Sequence, residues 1–301
     1  MPLPKPKPAR LVRPKAKHPP PLPCVLAIGG LDPGAGAGVL ADARAIARVG
    51  AFACAAVAVL TVQSTSGMRA ATAVAKSELI AECTEVLKHQ RVRAIKVGAL
   101  GSDENVRAIG DLLAIHRSIP AVVDTVMVPT RGRARLLEER AIADLRERVL
   151  PRAALVTVNA PEAEVLTGAR VTRLDEAHDA ALALLRLGCA AVLVKGGHLG
   201  GPLAVDLLAI APRESRANRS RRAPAPRVIE LTAPRLRLAP THGGGCALAS
   251  LIAGHLAMND AAYTVNPTRV LEAAVRAAKE IHHDALLHAR DVGGDLRVLF
   301  A

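Results

Sequence analysis

Short runs of Ala, Val, Leu and Ile recur along this 301-residue chain, separated by longer segments whose apolar positions return every three to four residues. The runs read as strands buried on both faces, and the periodic segments as helices laid over them. Predicted strands are 24–29 (CVLAIG), 52–62 (FACAAVAVLTV), 94–98 (AIKVG), 121–126 (AVVDTV), 155–158 (LVTV) and 190–195 (AAVLVK). Helices are expected near 36–49, 77–89, 104–116, 136–148, 174–187, 244–257 and 267–288. Asp103 is the expected N-cap of the third, because a carboxylate there can accept from the free amides of the first turn. A strand pair is expected over 203–210 and 228–238. Such alternation predicts mostly parallel strands joined by right-handed crossovers, hence one doubly wound, layered α/β domain over 24–301.

Residues 1–23 break the pattern. They hold nine prolines and no apolar period, which predicts an extended, solvated tail outside the fold. Charge sharpens that boundary. Of the formal net charge of +13, the tail carries +6 and the Arg/Pro-rich segment 211–227 carries +5. The folded body is therefore close to neutral. The basicity reads as a solvated tail and a surface loop, which makes nucleic acid an unlikely partner. One Tyr, two Phe and no Trp leave little material for stacking bases. Polyanion binding as a main function would require a steeply salt-dependent affinity that deletion of 1–23 abolishes.

Cys24, Cys54, Cys83, Cys189 and Cys246 form no CxxC pair and stand at no zinc-ligand spacing. Scattered and odd in number, they fit a reducing compartment, and the first four sit in aliphatic surroundings as small core residues. No apolar run is long enough to span a bilayer, and Pro-rich chain stands where a signal peptide needs an apolar stretch. A cytoplasmic protein with no membrane partner is expected.

In doubly wound sheets ligands collect beyond the carboxyl ends of the strands. Reading those ends in order gives the candidate chemistry. The first strand runs into Gly29-Gly30-Leu31-Asp32-Pro33-Gly34-Ala35-Gly36-Ala37-Gly38, with Asp42 one turn into the helix. Glycines here permit close approach of backbone to a ligand, although a plain tight turn would look the same. A Walker-type phosphate loop is excluded, since the chain has no Gly-Lys dipeptide. Gln63 ends the second strand and offers a donor beside an acceptor, which suits the edge of a 4-aminopyrimidine. Asp124-Thr125-Val126 and Thr157-Val158-Asn159-Ala160-Pro161-Glu162 follow, as carboxylates that could face a hard cation and as a helix cap. Next comes Lys195-Gly196-Gly197-His198, and then Thr241-His242-Gly243-Gly244-Gly245-Cys246 opening a helix. Three glycines at a helix start expose successive amides, and the dipole adds about half a positive charge. That field is expected to lower the Cys246 pKa, so that the sulfur could take the proton of an attacking hydroxyl or hydrogen-bond it.

The collinear series of an Asp-Pro glycine turn, strand-end Gln, DTVM, T-x-N-x-P-E-A, KGGH and THGxGC resembles the hydroxymethylpyrimidine and phosphomethylpyrimidine kinases of thiamine synthesis. The resemblance implies a ribokinase-like three-layer sandwich, ATP with Mg2+, and phosphorylation of 4-amino-5-hydroxymethyl-2-methylpyrimidine and of its monophosphate. It places Gly30, Ala37, Asp42, Gln63 and Val126 around the pyrimidine, and Cys246 against the hydroxymethyl group. Gly243, Gly244 and Gly245 would hold the transferring phosphoryl. Asp124, Asn159 and Glu162 would organise magnesium and its waters, with Lys195, Thr157 and Thr241 on the nucleotide side. A homodimer is the expected assembly, as the commonest for soluble homo-oligomers.

Several positions depart from that pattern. Ala99 stands where the family usually has Met, and Gly244 where it has Thr. The segment Pro129-Thr130-Arg131-Gly132-Arg133 replaces a flap that commonly reads AKSGD, and Leu31 and Gly34 replace serines. These departures keep two alternatives in view: a pyridoxine or pyridoxal kinase, and a catalytically weak pyrimidine-binding regulator of the same fold.

Overall fold

A computed structural model of the chain describes residues 20–127, 136–212, 225–236 and 240–299. The expected tail lies outside these apart from 20–23, which carry no helix or strand, and the expected flap at 129–133 lies outside them entirely. Most of the Arg/Pro-rich loop is likewise outside, and strand structure resumes at Arg227.

Aliphatic alternation builds the centre. β1 (Cys24–Leu31) is buried along nearly its whole length. Leu26 and Ile28 point to one apolar cluster, Val25 and Ala27 to another. A strand buried on both faces needs a helical layer on each, and the chain supplies both. α1 (Gly38–Arg48), α7 (Gly244–Met258) and α9 (Pro267–Leu287) cover one face. α2 (Lys76–His89), α3 (Asp103–Ile115), α4 (Ala141–Asp144), α5 (Ala160–Thr167) and α6 (Leu174–Leu185) cover the other. Short α8 (Asp260–Val265) links α7 to α9.

Between the layers lie β2 (Phe52–Ser64), β3 (Gly67–Ala73), β4 (Val92–Val97), β5 (Ala121–Asp124), β6 (Leu155–Asn159), β7 (Ala191–Lys195), β8 (Leu203–Ile210) and β9 (Arg227–Pro234). The order is β3-β2-β1-β4-β5-β6-β7-β8-β9, with β2, β1, β4, β5, β6 and β7 parallel and antiparallel pairing at β3, β8 and β9. This is the three-layer, mostly parallel sandwich expected. All the parallel strands end on one side. β10 (Thr241–His242) and β11 (Arg297–Val298) pair separately there.

Some local expectations change. The second strand runs on to Ser64 and returns as β3, an antiparallel edge of mostly small residues (GMRAATA) that carries too little apolar signal to be read alone. Ser102, not Asp103, caps α3: its hydroxyl accepts from the Asn105 amide, leaving Asp103 in the first turn to favour the helix dipole. The helix expected over 136–148 shrinks to α4, followed by a π turn (Leu145–Val149) and a 3-10 turn (Leu150–Arg152) at Pro151, which has no N–H to continue an α-helix. The strand pair stops at Pro234 rather than at 238. Cys24, Cys54, Cys83 and Cys189 are buried and free, as expected of core residues. No helix among the described residues is long and apolar enough to cross a membrane.

Candidate active site

A cleft of about 630 Å³ opens at the carboxyl ends of the parallel strands. Its floor begins at the turn after β1. The Asp32 carboxylate accepts from the amides of Gly34 and Ala37, each at 2.8 Å, and so shapes that turn. His242, from β10, holds the same carboxylate at 2.9 Å. Burial would raise the Asp32 carboxyl, but His242 and the two amides outweigh it and hold it below the usual range. The packing is close: a Cβ on Gly36 would come 2.4 Å from the His242 ring.

The wall opposite is the start of α7. Gly243 is its N-cap at φ +79°, and a Cβ there would lie 2.0 Å from the Gly36 carbonyl oxygen. Glycine is thus required twice over, by conformation and by space. Gly244, Gly245 and Cys246 form the first turn and line the cleft, where a helix leaves amides without intrahelical partners. Against this turn stands Lys195, from the end of β7, paired with Asp124 at 3.0 Å. A Cβ on Gly245 would come 3.0 Å from the Lys195 ammonium. Burial would lower the Lys195 pKa, but Asp124 and Glu162 more than offset it, so the ammonium stays charged.

Glu162 and Asn159 close a capping box at the start of α5. Each side chain accepts from the other's backbone amide, at 2.9 and 2.8 Å. Burial, with the nearby Asp124, pushes the Glu162 carboxyl up to about 7 against the pull of Lys195. Among the described residues no group of three or more His, Cys, Asp or Glu is placed to cage a metal. Asp124 and Glu162 can therefore serve a cation through its waters or through phosphate, and not as a closed protein site.

Farther along, the cleft runs between β8, β9 and α9. Ala204, Ala233, Pro234, Leu236 and Leu286 give it apolar walls. Lys279 and Gly196 both donate to Asp206, at 2.5 and 2.7 Å. A Cβ on Gly196 would lie 1.9 Å from the Val205 carbonyl oxygen, which explains the first glycine of the KGGH run. Arg235 donates to the carbonyls of Gly197, Gly201 and Leu203, pinning the loop after β7.

Of the residues expected from sequence, Gly30, Ala37, Gln63, Asp124, Val126, Asn159, Glu162, Lys195, Thr241, Gly243, Gly244, Gly245 and Cys246 all line this one cleft. Two do not. Asp42 is fully buried behind it, gripping Lys96 at 2.8 Å and accepting from Ser250 at 2.8 Å. Thr157 is fully buried and donates to Asp124 at 2.7 Å, so in this structure it supports that carboxylate and does not line the cleft. Cys246 also departs from expectation. Burial pushes its thiol up to about 12, with Asp124 and Asp42 adding to it against Lys96 and Lys195. That direction favours a neutral thiol over a poised thiolate.

Sequence reasoning missed Lys96, the Asp32–His242 pair, Asp206 with Lys279, and His282. A lysine inside the apolar run AIKVG was the available signal for the first. Nothing local marks the others.

Comparison with known proteins identifies the family. The phosphomethylpyrimidine kinase family profile matches residues 32–297. A hydroxymethylpyrimidine/phosphomethylpyrimidine kinase of Streptomyces coelicolor is 36% identical over 274 residues, covering 91% of this chain and 92% of that protein. The thiamine biosynthesis bifunctional protein ThiED of Geobacter sulfurreducens is 35% identical over 259 residues. That match takes in 85% of this chain, which spans 50% of that longer protein. Among solved structures, a phosphomethylpyrimidine kinase from Clostridium difficile superposes with a TM-score of 0.66 at 28% identity, covering 86% of this chain and 98% of that one. Pyridoxal kinase from Staphylococcus aureus, in complex with AMP-PCP and pyridoxal, shares the fold at a TM-score of 0.75 and 22% identity, covering 92% of this chain and 93% of that one. With the profile spanning nearly the whole described fold and the predicted motifs gathered at one cleft, this chain belongs to the phosphomethylpyrimidine kinase family of phosphotransferases.

Proposed function

We propose that this kinase transfers the γ-phosphoryl of ATP to the hydroxymethyl oxygen of 4-amino-5-hydroxymethyl-2-methylpyrimidine. The observation that carries this reading is the convergence of the Gly243–Cys246 turn, the Lys195–Asp124 pair and the Gln63 carboxamide on one cleft. Gln63 reads the paired donor and acceptor edge of the ring, between Gly30, Ala37 and Val126. The Cys246 thiol hydrogen-bonds the hydroxymethyl oxygen and aims it along the start of α7. There the free amides and Lys195 meet the charge that spreads over the phosphoryl oxygens. A neutral thiol suffices, because in a loose transition state the hydroxyl proton leaves late and can pass to a phosphoryl oxygen.

The nucleotide lies along the apolar slot between β9 and α9, with its phosphates toward Lys195. Asp124 and Glu162, two carboxylates at the strand ends, suit a magnesium ion held mainly by phosphate and water. When bound, the ion would neutralise phosphate charge. A cytoplasmic setting accords with this chemistry.

Phosphate transfer from magnesium-ATP by the purified protein tests the reading, with the hydroxymethylpyrimidine, its monophosphate and pyridoxal as acceptors in parallel. Phosphorylated pyrimidine that disappears in Cys246→Ala and Gln63→Ala is the expected result. Turnover of pyridoxal alone would favour the second reading, which one observation supports: Ala99 puts a single methyl on the cleft wall, leaving room for a larger ring. Pyrimidine binding without turnover on any acceptor would sink both.

A further inference from the structure

The three glycines at the start of α7 are not equivalent. Gly243 cannot carry a side chain, and a Cβ on Gly245 would press on the Lys195 ammonium at 3.0 Å. Gly244 is different. Its backbone is not left-handed, and a Cβ there would sit at ordinary contact distance, 3.6 Å from His282 Nε2 and 3.8 Å from Thr241 Oγ1. Neither strain nor crowding demands a glycine at this position.

His282 reaches it from α9. Its Nε2 lies 2.9 Å from the Gly244 carbonyl oxygen. A carbonyl only accepts, so Nε2 carries the hydrogen and the ring donates. Burial holds the imidazole far below its usual range, at about 4, so it stays neutral beside the phosphate path. The carbonyl of Gly244 and the amide of Gly245 belong to one planar peptide and point in opposite directions. Fixing the carbonyl therefore fixes where the Gly245 amide points. Glycine pairs make a loose first helical turn, since neither residue restricts its own backbone.

We propose that His282 is a positioning residue for phosphoryl transfer. Its hydrogen bond to the Gly244 carbonyl stiffens a turn that opens on two residues without side chains and aims the Gly245 amide at the transferring phosphoryl. The proposal rests on the anion-hole reading above.

Three variants test it, His282→Leu, His282→Gln and His282→Leu with Gly244→Ala, each checked for an unchanged thermal midpoint. A leucine fills the space without a donor, whereas a glutamine keeps an N–H at similar reach. In His282→Leu, kcat is expected to fall about tenfold, the worth of the hydrogen bond that a misaimed Gly245 amide would no longer make to a charged phosphoryl oxygen, with the KM for the pyrimidine unchanged. His282→Gln keeps most of the activity, and adding Gly244→Ala to the leucine variant recovers part of it, because a Cβ sterically narrows the backbone dihedrals of the turn. Calorimetric binding of AMP-PCP gives the second readout and needs no turnover: it weakens in the leucine variant and not in the glutamine one. Equal damage in Leu and Gln, or no effect of Leu on kcat and AMP-PCP alike, would overturn the proposal. A wild-type protein that binds AMP-PCP but phosphorylates nothing would instead count against the kinase reading, while the binding comparison still decides the role of His282.

Discussion

Lys96 and Asp42 form an ion pair at 2.8 Å with both side chains essentially without solvent exposure, 54 residues apart in sequence. Ser250 donates to the second carboxylate oxygen, and Gly98 leaves room for the ammonium, since a Cβ there would come 2.8 Å from Nζ. Burial would lower the Lys96 pKa, yet Asp42 outweighs it, so a fixed positive charge stands beneath Cys246. Breaking such a pair leaves one charge buried and alone.

Lys96→Met is therefore expected to destabilise the ligand-free protein by about 3–5 kcal/mol. Lys96→Met combined with Asp42→Leu should cost clearly less than the two single changes added together, because no uncompensated charge remains. Urea unfolding of the four proteins measures this. Simple additivity would mean that the pair is not acting as a unit.

A branched side chain at Gly245 meets Lys195 directly. Gly245→Val should displace the ammonium from the first turn of α7 and cut kcat by about a hundredfold or more, as loss of an oxyanion donor does. Pyrimidine affinity, read by calorimetry, should change little. Equal losses in both would contradict the anion-hole role.

The neutral state of Cys246 predicts slow chemistry. At pH 8 its alkylation by iodoacetamide should lag well behind that of a free cysteine, since the thiolate is the reactive form and burial suppresses it. Mass spectrometry of the alkylated protein reports the rate by site. The pH profile of kcat/KM should show no limb between pH 6 and 9 that Cys246→Ser removes.

Glu162 makes stability depend on pH in a defined direction. Its folded pKa, about 7, lies above the ordinary 4.5, so the folded state holds the proton more tightly. Its contribution is full below about pH 4.5 and is lost as pH rises through 7. The thermal midpoint of the ligand-free wild type, measured against Glu162→Gln, should fall across that window. A difference that grows with pH would reverse the assignment.

Parallel strands buried on both faces were legible because Val, Ile, Leu and Ala runs of four to eight residues have few other uses. β3 escaped because an edge strand with one exposed face carries half the apolar signal, and Ser102 was passed over for its acidic neighbour although a hydroxyl caps equally well. The candidate site was legible where backbone geometry requires glycine, as at Gly243, and where a polar residue ends a strand, as at Gln63, Asp124 and Lys195. Asp42 and Thr157 were expected at the ligand, and the structure buries both against other side chains instead of on the cleft wall. Strand position says that a residue is near the cleft, but not whether its side chain faces a ligand or another side chain.

Taken by itself, the amino-acid sequence determined the layered fold, the end of the sheet where chemistry gathers and the glycine turns that make room for it. These follow from local periodicity and backbone sterics, which a chain carries wherever it is read. Only the tertiary structure decided which polar and charged groups pair. Lys195 meets Asp124 across 71 residues, Ser250 meets Asp42 across 208, and His242 meets Asp32 across 210. Protonation followed those meetings: a cysteine at a helix start became a neutral thiol because burial and two carboxylates outweighed the two nearby lysines. Ionisation depends on distance and dielectric, and both are properties of the folded packing.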